Sequence, residues 1–279
     1  MHTPKPLLAL LLAASASMAQ AEPLKIGLIL PLTGPFASTG KQIEAGARLY
    51  MAQQGNTVAD RKVELIVKDD TGVADVTKRM AQELVVNDKV GVLAGFGLTP
   101  LAMATAPIAT QSKTPLVVMA AATSSITEAS PYIVRTSFTV PQVVTTLADW
   151  ASANNIRKVV TLVTDYAPGV DSEKYFNQRF TTNGGVVVES LRVPLRSPDF
   201  APFLQKVRDA KPDALFTFVP AGVGVALMKQ FAERGLDKAG IRVIAEGSVT
   251  DDDVIDAMGD AALGVVTAHH YSASHNSAL

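Results

Sequence analysis

Apolar residues along the chain fall into short unbroken runs, each followed by a turn of small residues and then a stretch whose apolar positions recur every three or four residues. The run LKIGLIL at Leu24–Leu30 stops at Pro31. The turn PLTGPFASTG (31–40) then leads into a predicted helix carrying Ile43, Ala47, Tyr50 and Met51, with Ser38 or Thr39 as its cap. A strand over 62–68 and a helix over 76–86 follow. The stretch 90–125 organises the rest: an apolar strand (90–94), a turn holding Gly95 and Gly97, a helix opened by Thr99-Pro100, and a second strand (116–120) running into Ala121-Ala122-Thr123-Ser124-Ser125. Thr99 suits the N-cap and Pro100 the first turn, where no amide partner is needed. Strand, turn, helix, strand is a parallel crossover unit, and in open α/β sheets the ligand crevice lies beyond the carboxyl ends of the strands. The two turns, 95–99 and 121–125, are therefore read as half of a binding cleft.

The rhythm breaks at 131–141, where a short strand-like segment is followed by residues without periodicity and Pro141 opens a new helix with Val144, Leu147 and Trp150. Alternation resumes at Lys158. Strands are expected at 159–163, 186–193, 214–219 and 241–245, with helices at 173–182, from an Asp199 cap through Val207, and from Gly222 to Arg234. Two runs of alternating strand and helix predict an α/β protein of two doubly wound, parallel-sheet lobes with a cleft between them. The boundaries read as lobe 1 over 22–139 and lobe 2 over 140–263.

The first 21 residues are set apart from this pattern. Lys5, the apolar run 7–14 and Ala19-Gln20-Ala21 before Glu22 make up a cleavable export signal, and the apolar run is too short to span a membrane. Cleavage removes one lysine and no acid, so the formal charge of −1 becomes −2. That balance, with no basic cluster, gives no footprint for nucleic acid. There is no cysteine to carry a lipid or a disulfide. An exported chain without an anchor is expected in a periplasm, with no membrane insertion after signal cleavage.

Catalytic readings lack parts. Gly222-x-Gly224 opens a helix after a strand, but Leu227 stands where a dinucleotide fingerprint wants Gly or Ala; no Walker loop or G-x-S-x-G elbow occurs. Asp69-Asp70 ends a strand and reads as a cap or turn before it reads as a metal site. His269, His270 and His275 invite a zinc reading, yet neighbouring histidines on a strand point to opposite faces. No cofactor is expected, and the chain is not read as an enzyme.

Taken together, PLTGPFASTG, GFGLTP, AAATSS, YIVRTSF, TDYAPG, DFAPFLQKVRDAKPDALF and EGSV resemble, in order and spacing, the periplasmic solute-binding proteins of ABC importers of the branched-chain amino acid type. The resemblance begins at Leu24 and runs to the last residue. It implies two lobes that close on a small ligand and a chain that acts as a monomer and docks on an inner-membrane ABC permease. Its site residues carry over as Phe36 over the ligand, the turn at Gly95 and Phe96, the pair Ala122-Thr123 on a carboxylate with Ala121 beside it, Tyr166 in the second-lobe turn, Ala221 where an aromatic is frequent, and Glu246 on an ammonium group. Gly95 replaces a common serine, which leaves only backbone donation there, and 137–140 lacks the acid that amino-acid binders carry. Phe36 and Phe96 also read as core aromatics and Glu246 as a loop acid or helix cap. The ligand is left open between an amino acid and an aromatic or aliphatic carboxylic acid. A ligand-sensing module with the same cleft is the alternative function, and a nonfunctional truncated relative a further one. Relatives of this type continue for about a hundred residues beyond such a point, so 264–279 is read as a crossover returning toward lobe 1, truncated at Leu279.

Overall fold

The computed structural model describes residues 22–195 and 199–272; residues 1–21, which carry the expected export signal, and the last seven residues, His275 among them, lie outside the described residues. Within these bounds the chain builds two sheets. The first lobe runs β1 (Leu24–Leu30), α1 (Ala37–Gln54), β2 (Thr57–Val58), β3 (Arg61–Asp69), α2 (Ala74–Val86), β4 (Val92–Gly95), α3 (Thr99–Ser112), β5 (Leu116–Val118) and β6 (Ile133–Arg135). The second runs α4 (Val140–Ala153), β7 (Lys158–Thr164), α5 (Ala167–Thr182), β8 (Val186–Val193), α6 (Ala201–Ala210), β9 (Ala214–Phe218), α7 (Ala221–Glu233), β10 (Arg242–Glu246), α8 (Asp252–Ile255) and β11 (Val266–Ala268).

Strand order is β2-β3-β1-β4-β5-β6 in one sheet and β11-β10-β9-β7-β8 in the other. All pairings are parallel except β2 with β3, an antiparallel edge hairpin that the sequence reading passed over because only two residues pair on its first arm. The strands alternate as their side-chain period requires. Val160 and Leu162 face a core with Leu204, Val207, Leu227 and Phe231 of α6 and α7, while Val159 and Val163 face one with Val144 and Leu147 of α4 and Phe176 and Phe180 of α5. Both faces of the second sheet are thus covered by helices. In the first sheet, Ile29, Leu93, Leu116 and Val118 pack under α2 and α3, whereas Leu28, Leu30 and Ala94 are covered more thinly, by half-buried Ile43 of α1. Tyr50, expected on the apolar side of α1, is 68% exposed, so that helix touches its sheet mainly through its N-terminal half.

Several element ends move. Thr99 is not the cap of α3: Leu98 has the extended cap conformation, and Thr99 is the first helical residue, its hydroxyl turned to Thr123. Helix α5 starts at Ala167, one and a half turns before its expected start, because Pro168 is tolerated in the first turn. Helix α4 is opened by Thr139 and Gln142, which bond each other's backbone as a capping box. The stretch read as a crossover returning toward lobe 1 instead pairs, at Val266–Ala268, with β10 as the edge of the second sheet. Beyond it His269 and His270 lie against Phe138 of the connection between the lobes, with ring centroids 5.6 and 4.4 Å away.

Candidate functional site

A cavity of about 310 Å³ lies between the lobes at the carboxyl ends of the strands. Its wall is made from the starts of helices. Phe36 is the cap residue of α1 and Ser38 and Thr39 its first turn; Leu98 caps α3 and Thr99 begins it; Tyr166 caps α5 and Pro168 lies in its first turn; Pro220 caps α7. Each strand ends in a short turn, so each following helix points its amino end inward. Unpaired N–H groups and the partial positive charge of the helix ends gather there. Among the described residues no lysine or arginine lines the cavity.

On the first-lobe side the wall is small and neutral, with Gly97, Leu98, Thr99, Ala120, Ala121 and Ala122 beside Phe36 and Met119. Thr123 stands one layer behind: its hydroxyl is 2.8 Å from that of Thr99, and its carbonyl accepts from Arg135 Nη2 at 2.5 Å. Burial holds the Arg135 guanidinium below its ordinary pKa, against the pull of Asp171. The turn that carries Phe36 is propped from beneath. Asp69 accepts from the Leu32 and Thr71 amides and the Thr33 hydroxyl; desolvation pushes its pKa up, but these bonds outweigh it and hold the carboxylate below its usual range. Its neighbour Asp70 is fully buried, accepts from the Gly72 amide, and is pushed up to about 6 by desolvation.

The second-lobe side is aromatic and titratable. Tyr166 and Phe218 tilt against each other with centroids 6.3 Å apart, and burial pushes the Tyr166 phenol above its ordinary pKa. Glu246, 2% exposed, ends β10 and is already engaged: Oε2 accepts from the Ser248 amide at 3.1 Å and from the Ser248 hydroxyl, while Oε1 lies 3.1 Å from His269 Nδ1. Burial lowers the His269 pKa, but the hydrogen bond and charge of Glu246, helped by Asp251, outweigh it and leave it raised. His270 is held below its ordinary value by burial and by His269.

Of the residues singled out from sequence, Phe36, Ala121, Ala122, Tyr166 and Glu246 come together on the cavity, and Thr123 supports it through Thr99. Ala221 is the first residue of α7, next to the lining residue Pro220. Gly95 and Phe96 do not reach the cavity. Gly95 at φ 112° and Phe96 at φ 64° turn the chain down, so that the Phe96 ring is wholly buried in the core with Ile29, Leu93 and Ala106. Their backbone is also spent: Phe96 N–H donates to Ile29, Gly95 C=O accepts from Met119, and Phe96 C=O from Ala121. The contact expected of Gly95 and Phe96 falls to Gly97, Leu98 and Thr99. Among the lining residues that sequence reasoning passed over are Phe138, Phe218, Ser248 and the histidines used as cavity wall. The regular spacing of helix starts could have pointed to the first three, but nothing local marks His269.

Among the described residues no group of three or more His, Cys, Asp or Glu is placed to hold a metal, and no helix is long and apolar enough to cross a membrane. Two parallel α/β lobes that close a cavity with their helix amino ends define a two-lobed binding protein. The chain belongs to the periplasmic binding protein family, whose sequence profile matches residues 23–278. It is 45% identical over 265 residues to Leu/Ile/Val-binding protein homolog 6 of Brucella melitensis, a match covering 94% of this chain and 68% of that one. A solute-binding protein of an ABC transporter from Rhodopseudomonas palustris BisB5, solved with 3,4-dihydroxybenzoic acid, is 63% identical with a TM-score of 0.88, over 91% of this chain and 70% of that one. Another from R. palustris, solved with 4-hydroxybenzoate, is 40% identical with a TM-score of 0.89 and the same coverage.

Proposed function

We propose that the protein is the periplasmic solute-binding component of an ABC importer whose ligand is an aromatic carboxylic acid, captured between the lobes and passed to an inner-membrane permease. One observation carries the choice of ligand: four helix amino ends converge on a cavity walled by Phe36, Phe138, Tyr166 and Phe218, while its buried acid Glu246 is already paired with Ser248 and His269. Helix amino ends stabilise a carboxylate without an arginine. The aromatic rings supply a flat apolar enclosure for a ring. An amino acid would need a carboxylate free for its ammonium group, and pulling Glu246 from Ser248 and His269 would offset that gain. The benzoate-type ligands of the two R. palustris relatives support the same reading.

Lobe closure over the ligand is the motion this family of two-lobed folds uses, and cleavage before Glu22 would release the chain into the periplasm as a monomer. Calorimetric titration of the purified protein with benzoate, 4-hydroxybenzoate and leucine tests the ligand class. Binding of the aromatic acids with no heat from leucine is expected; leucine binding more tightly than either acid would overturn it.

A further inference from the structure

A carboxylate held by helix amino ends and a ring held by aromatic walls leave unexplained the polar cluster at the end of β10, in which Glu246 is buried and the His269 side chain is 27% exposed. Glu246, Ser248, Asp251 and His269 all line the cavity, and they form its most acidic side. A ligand carboxylate would be repelled there, because like charges in a desolvated site cannot both ionise without cost. A neutral hydrogen-bonding group would not.

The His269 ring is held on three sides. Glu246 Oε1 fixes Nδ1 at 3.1 Å, the Phe138 ring meets it edge-on at 5.6 Å, and its ring lies flush on the backbone of Gly247, where an added Cβ would come within 2.3 Å of Nδ1. Glycine at 247 is what lets the imidazole approach. With Nδ1–H committed to Glu246, Nε2 of the neutral ring is an acceptor; in the protonated ring it is a donor. A phenol can meet both states, because its oxygen accepts and its O–H donates.

Resting on the aromatic-acid reading above, we propose that the Glu246–His269 pair determines specificity by reading a hydroxyl on the ligand ring, so that hydroxylated benzoates are selected over benzoate itself. A polar pair anchored on a buried carboxylate and turned to a hydroxyl loses a partner when the hydroxyl is missing, which is why such sites discriminate. Glu246 is a positioning residue in this scheme: it sets the tautomer and orientation of His269.

Titration calorimetry with benzoate, 4-hydroxybenzoate and 4-methoxybenzoate separates the outcomes. Wild type is expected to bind 4-hydroxybenzoate about tenfold or more tighter than benzoate, and the methoxy ether, which keeps the oxygen and loses the O–H, no better than benzoate. In His269→Phe and in Gly247→Ala, which pushes the ring away, the ratio of the two affinities should fall toward one. Equal wild-type affinities for benzoate and 4-hydroxybenzoate, or an unchanged ratio in folded variants, would overturn the assignment while the aromatic-acid reading stands. If the folded wild type binds neither acid, both fall together. The comparison of ligands on wild type decides the matter even where a variant does not fold.

Discussion

The two walls of the cavity are built on different principles. The first-lobe wall is made of turns, where Gly97, Thr99, Ala121 and Ala122 bring backbone and helix amino ends close and charge stands behind them, on Asp69, Asp70 and Arg135. The second-lobe wall is made of side chains from separated segments, with Tyr166, Phe218, Glu246 and His269 spread over about a hundred residues of chain and gathered only by the sheet order β11-β10-β9-β7. A wall of backbone suits any carboxylate; a wall of side chains decides what the carboxylate is attached to. Affinity should therefore be sensitive to the first lobe's turns and selectivity to the second lobe's rings and acids.

The largest effect that would sharpen this contrast is on stability, beneath the first wall. Asp70 has no second partner for Oδ2, and its pKa in the folded state is about 6 against 3.8 ordinarily. A carboxyl whose folded pKa is raised costs stability when ionised, fully so above pH 6, and that cost is relieved as pH falls from about 6 to about 4. Two pKa units correspond to about 3 kcal/mol. Asp69 and Asp149 act in the opposite sense, since their lowered pKa values contribute stability that is lost only as pH falls further. Urea unfolding should thus show the protein more stable at pH 5 than at pH 7.5, and Asp70→Asn should raise the pH 7.5 value toward the pH 5 one. A flat profile in wild type would remove the buried charge from the account.

Next in size is the contact that joins the walls. Gly222, in the first turn of α7, lies so close to the first lobe that an added Cβ would stand 2.1 Å from the Pro35 carbonyl oxygen. Gly222→Ala forces the two lobes apart or strains one of them, and overpacking of this kind costs about 1–3 kcal/mol. Because the contact exists only when the lobes approach, the cost should fall on binding, a loss of roughly tenfold to a hundredfold for every ligand alike. The unliganded melting temperature should hardly move. Loss of affinity for one ligand class only would mean that Gly222 belongs to the selective wall.

How far this was legible in the sequence follows the same division. The first wall announced itself, because glycine-, proline- and threonine-rich turns after apolar runs have few other uses, and both sheets' parallel strands were readable from run and turn alone. The error at Gly95 and Phe96 was one of two residues: local pattern locates a turn, but the positive φ values at both positions, which send the Phe96 ring down instead of out, are set by packing against Ile29. The second wall was half legible. Glu246 could be placed on the cleft, but its pairing with His269 depends on β11 joining the second sheet beside β10, a choice made by tertiary contacts 20 residues downstream, with His269 seated on Gly247.

A smaller effect checks the layer behind the first wall. Thr123 and Thr99 bond each other through their hydroxyls at 2.8 Å, both buried, so Thr123→Val removes one hydrogen bond and leaves the Thr99 hydroxyl to find another partner. A loss of about 1–2 kcal/mol in binding is expected, nearly equal for benzoate and 4-hydroxybenzoate. Calorimetry showing unchanged affinity for both would take Thr123 out of the support for the site.

The smallest expected effect tests whether Tyr166 acts as a ring or as a hydroxyl. Its ring packs with Phe218 in the second lobe and beside Phe36, Leu98 and Leu101 of the first, so its side chain belongs to both walls. Burial and, after it, the nearby charge of Glu246 both disfavour the phenolate and push the phenol pKa above the ordinary value. It therefore adds no charge to the cavity, and its contribution should come from apolar area. Tyr166→Phe keeps that area and should change affinity for benzoate and for 4-hydroxybenzoate by less than about threefold, well under 1 kcal/mol. Tyr166→Ala removes the ring from both walls at once and should cost substantially more, since truncating a buried aromatic loses about 3–5 kcal/mol of packing. A Tyr166→Phe variant that lost tenfold for 4-hydroxybenzoate alone would move the reading of the ring hydroxyl from His269 to Tyr166, and would make the start of α5, not the end of β10, the selective part of the second wall.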